Sequence, residues 1–200
     1  MRSPLSRFFL RVLLWLPLCF GGWFLFAILM STPVAWLSGL ALPGLFPELF
    51  SAVARDGYLL DIITRFDAPA ALTQGRAGEL AFGVNPMIYG YGIPLFTALV
   101  LATAEEEGFH HGWIWTGGML LLVLVQGFGV TLEALKVVLF GLGPEVAARA
   151  GFSPLQRELV ALGYQLGTLV LPAMTPVVLW LGGYRRFVAR LAPSFERTGP

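Results

Sequence analysis

Charge is what this sequence has least of. Only 12% of its 200 residues are Asp, Glu, Lys or Arg, against roughly 25% in a typical soluble domain. So few charges cannot cover a soluble fold of this size. With 56% hydrophobic residues, the composition is that of a chain embedded in lipid. The 13 basic and 12 acidic residues nearly cancel, to a net +1, so there is no overall basic field for nucleic acid. Cysteine occurs once, as Cys19, which excludes an intramolecular disulfide and a cysteine-rich zinc site. Histidine occurs twice, as the neighbours His110 and His111. Adjacent histidines on a short loop do not readily aim at one ion, and no third spaced ligand accompanies them. They read as part of a solvated connector, and neither a metal nor a cofactor is expected. Long low-complexity stretches and internal repeats are also missing.

What the chain does have is apolar runs. About 20 apolar residues carry a helix across the hydrocarbon core, and four runs qualify or nearly so: about 8–30, 90–104, 113–132 and 159–181. Arg11 lies near the end of the first, where it can snorkel. That first run is longer than the apolar part of a signal peptide, so it reads as a retained span. Pro172 and Pro176 should kink the last. Arg2, Arg7 and Arg11 precede or open the first run, and Arg185, Arg186, Arg190 and Arg197 follow the last. Positive residues mark the cytoplasmic side. Both termini are therefore expected in the cytoplasm of a bacterial inner membrane, which an even number of spans satisfies. The acidic connector around Glu105, Glu106 and Glu107 would share that side.

The expected fold is an all-α membrane protein forming a single integral membrane domain over residues 1–200. It has four transmembrane helices, a small extracytoplasmic β-hairpin and short interfacial helices. The outer segments are about 31–86 and 133–158. Residues 33–50 are apolar but broken by Pro33, Pro43 and Pro47, which favours an interfacial or re-entrant helix over a full span. In "DGYLLDIITRFD", Tyr58, Leu60, Ile62 and Phe66 fall on one face at period two, with Asp61 and Arg65 opposite. "GELAFGV" repeats the pattern with Leu80, Phe82 and Val84. A flexible loop around Gln74 joins them. Gly143-Pro144 precedes a short amphipathic helix. Ser153-Pro154-Leu155-Gln156 then reads as an N-cap, a first-turn proline and a capping box.

The triplet Gly90-Tyr91-Gly92 raises the question of a potassium filter. Such a filter needs a preceding Thr-Val on a loop behind a pore helix; here Met87, Ile88 and Tyr89 follow a strand pattern. The stretch reads instead as a boundary. Tyr89 and Tyr91 form an interfacial aromatic belt and partner-docking candidates, while Gly90 and Gly92 permit a turn or close approach. Cys19 lies mid-span between Leu18 and Phe20 and reads as an inert structural thiol. Glu133 and Lys136, three apart, suit a helical ion pair. Gln126 and Gln165 lie within spans and can hydrogen-bond between helices. Gly163 and Gly167 make a small-residue face for helix packing. Arg157 and Glu158, at the start of the last helix, are candidates for docking a partner.

Three blocks carry a resemblance: "RFFLRVLLWLPLCF", "GELAFGVNPMIYGYGIPLFTALVLAT" and "GFSPLQRELVALGYQLGTLVLPAMTPVVLWL". Together they resemble the exosortase H-associated membrane proteins, small bacterial inner-membrane proteins encoded beside exosortase H. The resemblance implies the lipid bilayer, exosortase H and its sorted substrates as partners. It brings no enzymatic residues with it. Exosortases are membrane cysteine transpeptidases that use Cys, Arg and His on the outer side. This chain departs from that pattern at Cys19 and at His110 and His111. The expectation is a non-enzymatic accessory, a scaffold or substrate-presenting partner. Two alternatives stand beside it: a small oligomeric transporter or channel, disfavoured by spans almost without ionisable residues, and an outer-interface enzyme using Glu133, Arg157 and Glu158.

Overall fold

The structure, a computed structural model, describes residues 4–68, 78–103 and 110–191. The loop around Gln74, the acidic connector 104–109 and the terminal arginines Arg2 and Arg197 lie outside the described residues. Apolar sequence with only Arg7 and Arg11 charged forms helix first. Helix α1 (Pro4–Leu25) is followed, after Phe26 alone, by α2 (Ala27–Leu45). The Phe26 N–H still donates to Gly22 O at 2.9 Å.

Helix α2 corrects the expectation for residues 33–50. It is 19 residues long and apolar enough to cross a membrane, with Pro33 and Pro43 inside it. A proline removes a backbone N–H and disturbs the turn before it, and here other donors gather at that turn. The Ser31 and Thr32 hydroxyls donate to Ile28 O at 3.1 and 2.9 Å, and Arg55 adds a guanidinium N–H to the same oxygen at 3.0 Å. These bonds tie the turn before Pro33 to its own side chains and to β1.

Strands β1 (Phe50–Asp56), β2 (Leu59–Asp67) and β3 (Glu79–Val84) form an antiparallel sheet in the order β1-β2-β3. The expected hairpin is its β2–β3 half, with Leu60 opposite Val84 and Ile62 opposite Phe82. The third strand, β1, was not expected. Its Ala52, Ala54, Arg55 and Asp56 include poor strand formers, and pairing with β2 holds them extended, Val53 opposite Ile62. Gly57, at φ 63°, makes the turn between them. Tyr58 sits in that turn and is exposed, not on the buried face. Thr64 takes the buried place beside Leu60, Ile62 and Phe66, and its hydroxyl donates to Leu80 O at 2.7 Å.

The third run, expected at 113–132, extends as α4 (His110–Lys136) into a π-turn, Val137–Gly141. Before it, α3 (Gly92–Thr103) is only 12 residues long, a rise of about 18 Å against a hydrocarbon core of about 30 Å. By length and composition, the four helices able to cross a membrane are Pro4–Leu25, Ala27–Leu45, His111–Gly141 and Pro154–Gly183. The number matches the expectation, with α2 in place of the segment 90–104.

The short helix α5 (Pro144–Arg149) follows Gly143. Helix α6 (Pro154–Gln165) opens on the predicted capping box: Ser153 N donates to Gln156 Oε1 at 2.8 Å and Gln156 N to Ser153 Oγ at 3.3 Å. A second π-turn, Leu166–Val170, precedes α7 (Leu171–Gly183), and α8 (Arg185–Leu191) closes the described chain. The π-turn lies just before Pro172, and Pro176 lies inside α7.

Two compact units result. One comprises Met1–Phe26, Tyr91–Leu122 and Ala173–Pro200. Its core gathers Phe8, Phe96, Val100, Leu122, Trp180, Tyr184 and Phe187. The Trp180 ring stacks on Phe8 at 5.1 Å and its N–H donates to Thr103 Oγ1 at 2.9 Å. The other comprises Ala27–Gly90 and Val123–Pro172. Its core packs Val34 and Leu42 of α2, Phe50, Leu60, Ile62 and Val84 of the sheet, and Val130, Val138 and Val160 of the later helices.

Candidate functional site

The second unit brings four polar side chains together from three places in the chain. Asn85 accepts the Met87 N–H at 3.0 Å and so caps a 3-10 turn, Pro86–Tyr89. That turn directs Tyr89 inward, where it is 3% exposed. The ring lies against Gly129 of α4; a Cβ there would come within 2.5 Å of Tyr89 Cδ1, so only glycine leaves room. One turn on, Glu133 Oε2 accepts the Tyr89 hydroxyl at 2.9 Å and the Lys136 ammonium at 2.9 Å. Lys136, the only lysine of the sequence, also lies 4.2 Å from the centre of the Tyr164 ring on α6. Each helix goes over into a π-turn at this cluster, directly after Lys136 and two residues after Tyr164. Such turns recur beside functional sites.

The electrostatics favour a closed pair. The Glu133 and Lys136 side chains are 19% and 30% exposed, half-buried in apolar surroundings. One carboxylate oxygen meets two donors, and the aromatic face adds to the lysine's stabilisation. Burial, and then the Glu133 charge, push the Tyr89 hydroxyl above its ordinary range, so it stays a neutral donor.

The remaining predicted residues fall as follows. Tyr89 is not part of an aromatic belt, because its hydroxyl finds Glu133 inside; Tyr91 is half-buried. Gln126 is fully buried and its amide donates to Pro86 O at 2.9 Å. Gln165 is exposed and is not its partner, because the 3-10 turn already fills that position. Gly90 permits this contact, since a Cβ there would lie 2.6 Å from Gln126 Nε2. Gly163 faces Leu132, and Gly167 meets the backbone of Gly129, so that a Cβ at 167 would lie 3.3 Å from the Gly129 Cα. Arg157 is half-buried and donates to Ala147 O at 3.0 Å, while Glu158 is exposed. Glu133 and Arg157 thus have separate partners, and among the described residues no hydrogen bond joins either to Glu158. His111 is not on a solvated loop: it lies in the first turn of α4, with Nδ1 2.8 Å from the Tyr184 hydroxyl. Among the described residues, no three His, Cys, Asp or Glu side chains gather in a metal-binding group. Sequence reasoning missed Tyr164, Gly127 and Gly129. The "GFG" at 127–129 was the available signal, since Gly127 also makes room, for Leu37 of α2.

Four long apolar helices with a small sheet, and polar groups paired inside, define a multi-pass membrane protein. The description "exosortase H-associated membrane protein" matches residues 2–187, and the chain belongs to that family. Neither a curated protein nor a solved structure matches the chain.

Proposed function

We propose that this protein is a non-enzymatic accessory of exosortase H in the bacterial inner membrane, holding the enzyme or presenting its sorted substrates. The family match over residues 2–187 carries this reading. The second unit supports it. Its half-buried Glu133 and Lys136 are spent on each other and on Tyr89, which suits a rigid scaffold better than a poised acid or nucleophile. Cys19 lies within an apolar helix, far from the setting a nucleophilic thiolate needs. In this reading both termini are cytoplasmic; with α1 and α2 both crossing, the sheet shares that side, and the connector 142–153 between α4 and α6 is the extracytoplasmic part offered to partners. Affinity purification of the tagged protein from native membranes should recover exosortase H at near-stoichiometric amounts. Its absence under mild extraction, with the bait intact, would refute the association.

A further inference from the structure

Helix α6 and the π-turn after it turn a row of leucines outward. Leu155, Leu162 and Leu169 recur every seven residues and are 65%, 62% and 68% exposed. Glu158 and Gln165, also seven apart and exposed, alternate with them. Residues at intervals of three and four share one helix face, and this is the spacing by which parallel helices mesh. Lipid imposes no such period. The opposite face of α6 is already used: Val160 is buried, and Gly163 meets Leu132 of α4.

Gln165 does not suit a face left to lipid. The apolar helix Pro154–Gly183 has 30 residues, a rise of about 45 Å against about 30 Å of hydrocarbon. Gln165 follows about 17 Å from its start, which places it inside the hydrocarbon. Among the described residues its carboxamide makes no hydrogen bond. An amide with neither water nor protein to bond is costly there.

We propose that a second copy of this chain packs on this face, in parallel, with the two Gln165 carboxamides hydrogen-bonded to each other. Copies inserted the same way up meet, about a two-fold axis along the membrane normal, with each residue opposite its own counterpart. A carboxamide both donates and accepts, so two glutamines satisfy each other. One polar residue in a heptad seam fixes register and copy number, and its bond adds to the packing of the leucines. Glu158 then faces its own copy one heptad nearer the connector 142–153, where water screens the repulsion. None of this depends on the exosortase H reading.

The test uses the full-length protein in phosphatidylcholine vesicles, labelled with donor or acceptor at Glu145→Cys in a Cys19→Ala background. Energy transfer should rise with the protein-to-lipid ratio along a monomer–dimer curve. Gln165→Leu, similar in size but without the amide, should weaken the dimer about tenfold, and Gln165→Asn should stay within about threefold of wild type. Leu162→Ala should also weaken it, whereas Leu40→Ala, at an exposed leucine of α2, should not. Glu158→Gln should tighten it by up to about threefold, because only self-association sets that carboxylate against its copy. All these side chains are exposed, so the melting temperature should not move. A protein that stays monomeric at the highest ratio overturns the proposal. Monomers that assemble only when exosortase H is added would give the face to that partner and overturn it too. Equal losses in Leu162→Ala and Leu40→Ala would mean general apolar attraction, and an equal loss in Gln165→Asn and Gln165→Leu would remove the hydrogen bond from the account.

Discussion

At the scale of single residues, the second unit turns on one carboxylate oxygen shared by a phenol and an ammonium. Replacing Tyr89 with Phe deletes the hydroxyl donor and leaves Glu133 half-buried with Lys136 alone. Hydrogen bonds to charged groups are worth about 2 kcal/mol, and we expect a loss of that size in unfolding measured in detergent. The pH dependence has a definite sign. Folded Tyr89 holds its proton more tightly than the unfolded side chain, which ionises near pH 10. Its contribution is complete below that pH and is lost as pH rises beyond it. A wild-type stability that declines between about pH 10 and 11 no faster than that of Tyr89→Phe would contradict the assignment. The Glu133–Lys136 pair was legible in the sequence because three residues on a helix make neighbours. Tyr89 was not: its role depends on a glycine 40 positions away leaving room for its ring.

At the scale of elements, helix contacts are made by missing side chains. Gly167 meets the backbone of Gly129, so a large side chain there must push one helix off the other. Gly167→Ile together with Gly163→Ile should cost at least about 3 kcal/mol by overpacking and abolish the folded monomer in detergent. Gly21→Ala, where an added methyl meets nothing within 4 Å, should stay within about 0.5 kcal/mol of wild type. A stable double variant would mean that these helices separate freely. Helix α6 depends on its cap as well. Ser153→Ala removes the acceptor for the Gln156 N–H and should cost about 1 kcal/mol, read as earlier amide exchange in the first turn of α6. The cap was legible because it is complete within four residues. Strand β1 was not, because Ala52, Ala54 and Asp56 hold an extended form only once β2 pairs with them.

At the scale of the whole molecule, the predictions concern orientation and partnership. In a Cys19→Ala background, a cysteine placed at Glu145, exposed between α4 and α6, should react with an impermeant reagent from outside, and one placed at Arg185 should not. The reverse labelling would invert the proposed topology. Cys19→Ala itself should leave processing of exosortase substrates at wild-type level when the protein accumulates normally. Loss of processing at normal abundance would give the thiol a role that its helical setting argues against.

The sequence alone determined the membrane class, the long helices α4 and α6–α7, the β2–β3 pairing and the helix start at Ser153. Each follows from composition or from residues within a few positions of one another, where hydrophobic period and capping chemistry act. Only the tertiary structure decided that α2 continues through Pro33, that β1 joins the sheet, that Tyr89 turns inward and that Gln126 bonds to Pro86. A proline inside a helix looks prohibitive when judged by its neighbours alone. Here α2 continues through Pro33 because Val34 and Leu42 beyond it are buried in the second unit's core, and Arg55, 22 residues further along, ties the turn before Pro33 to the sheet. The worth of such a residue is set by what the fold brings against it, which no local pattern records.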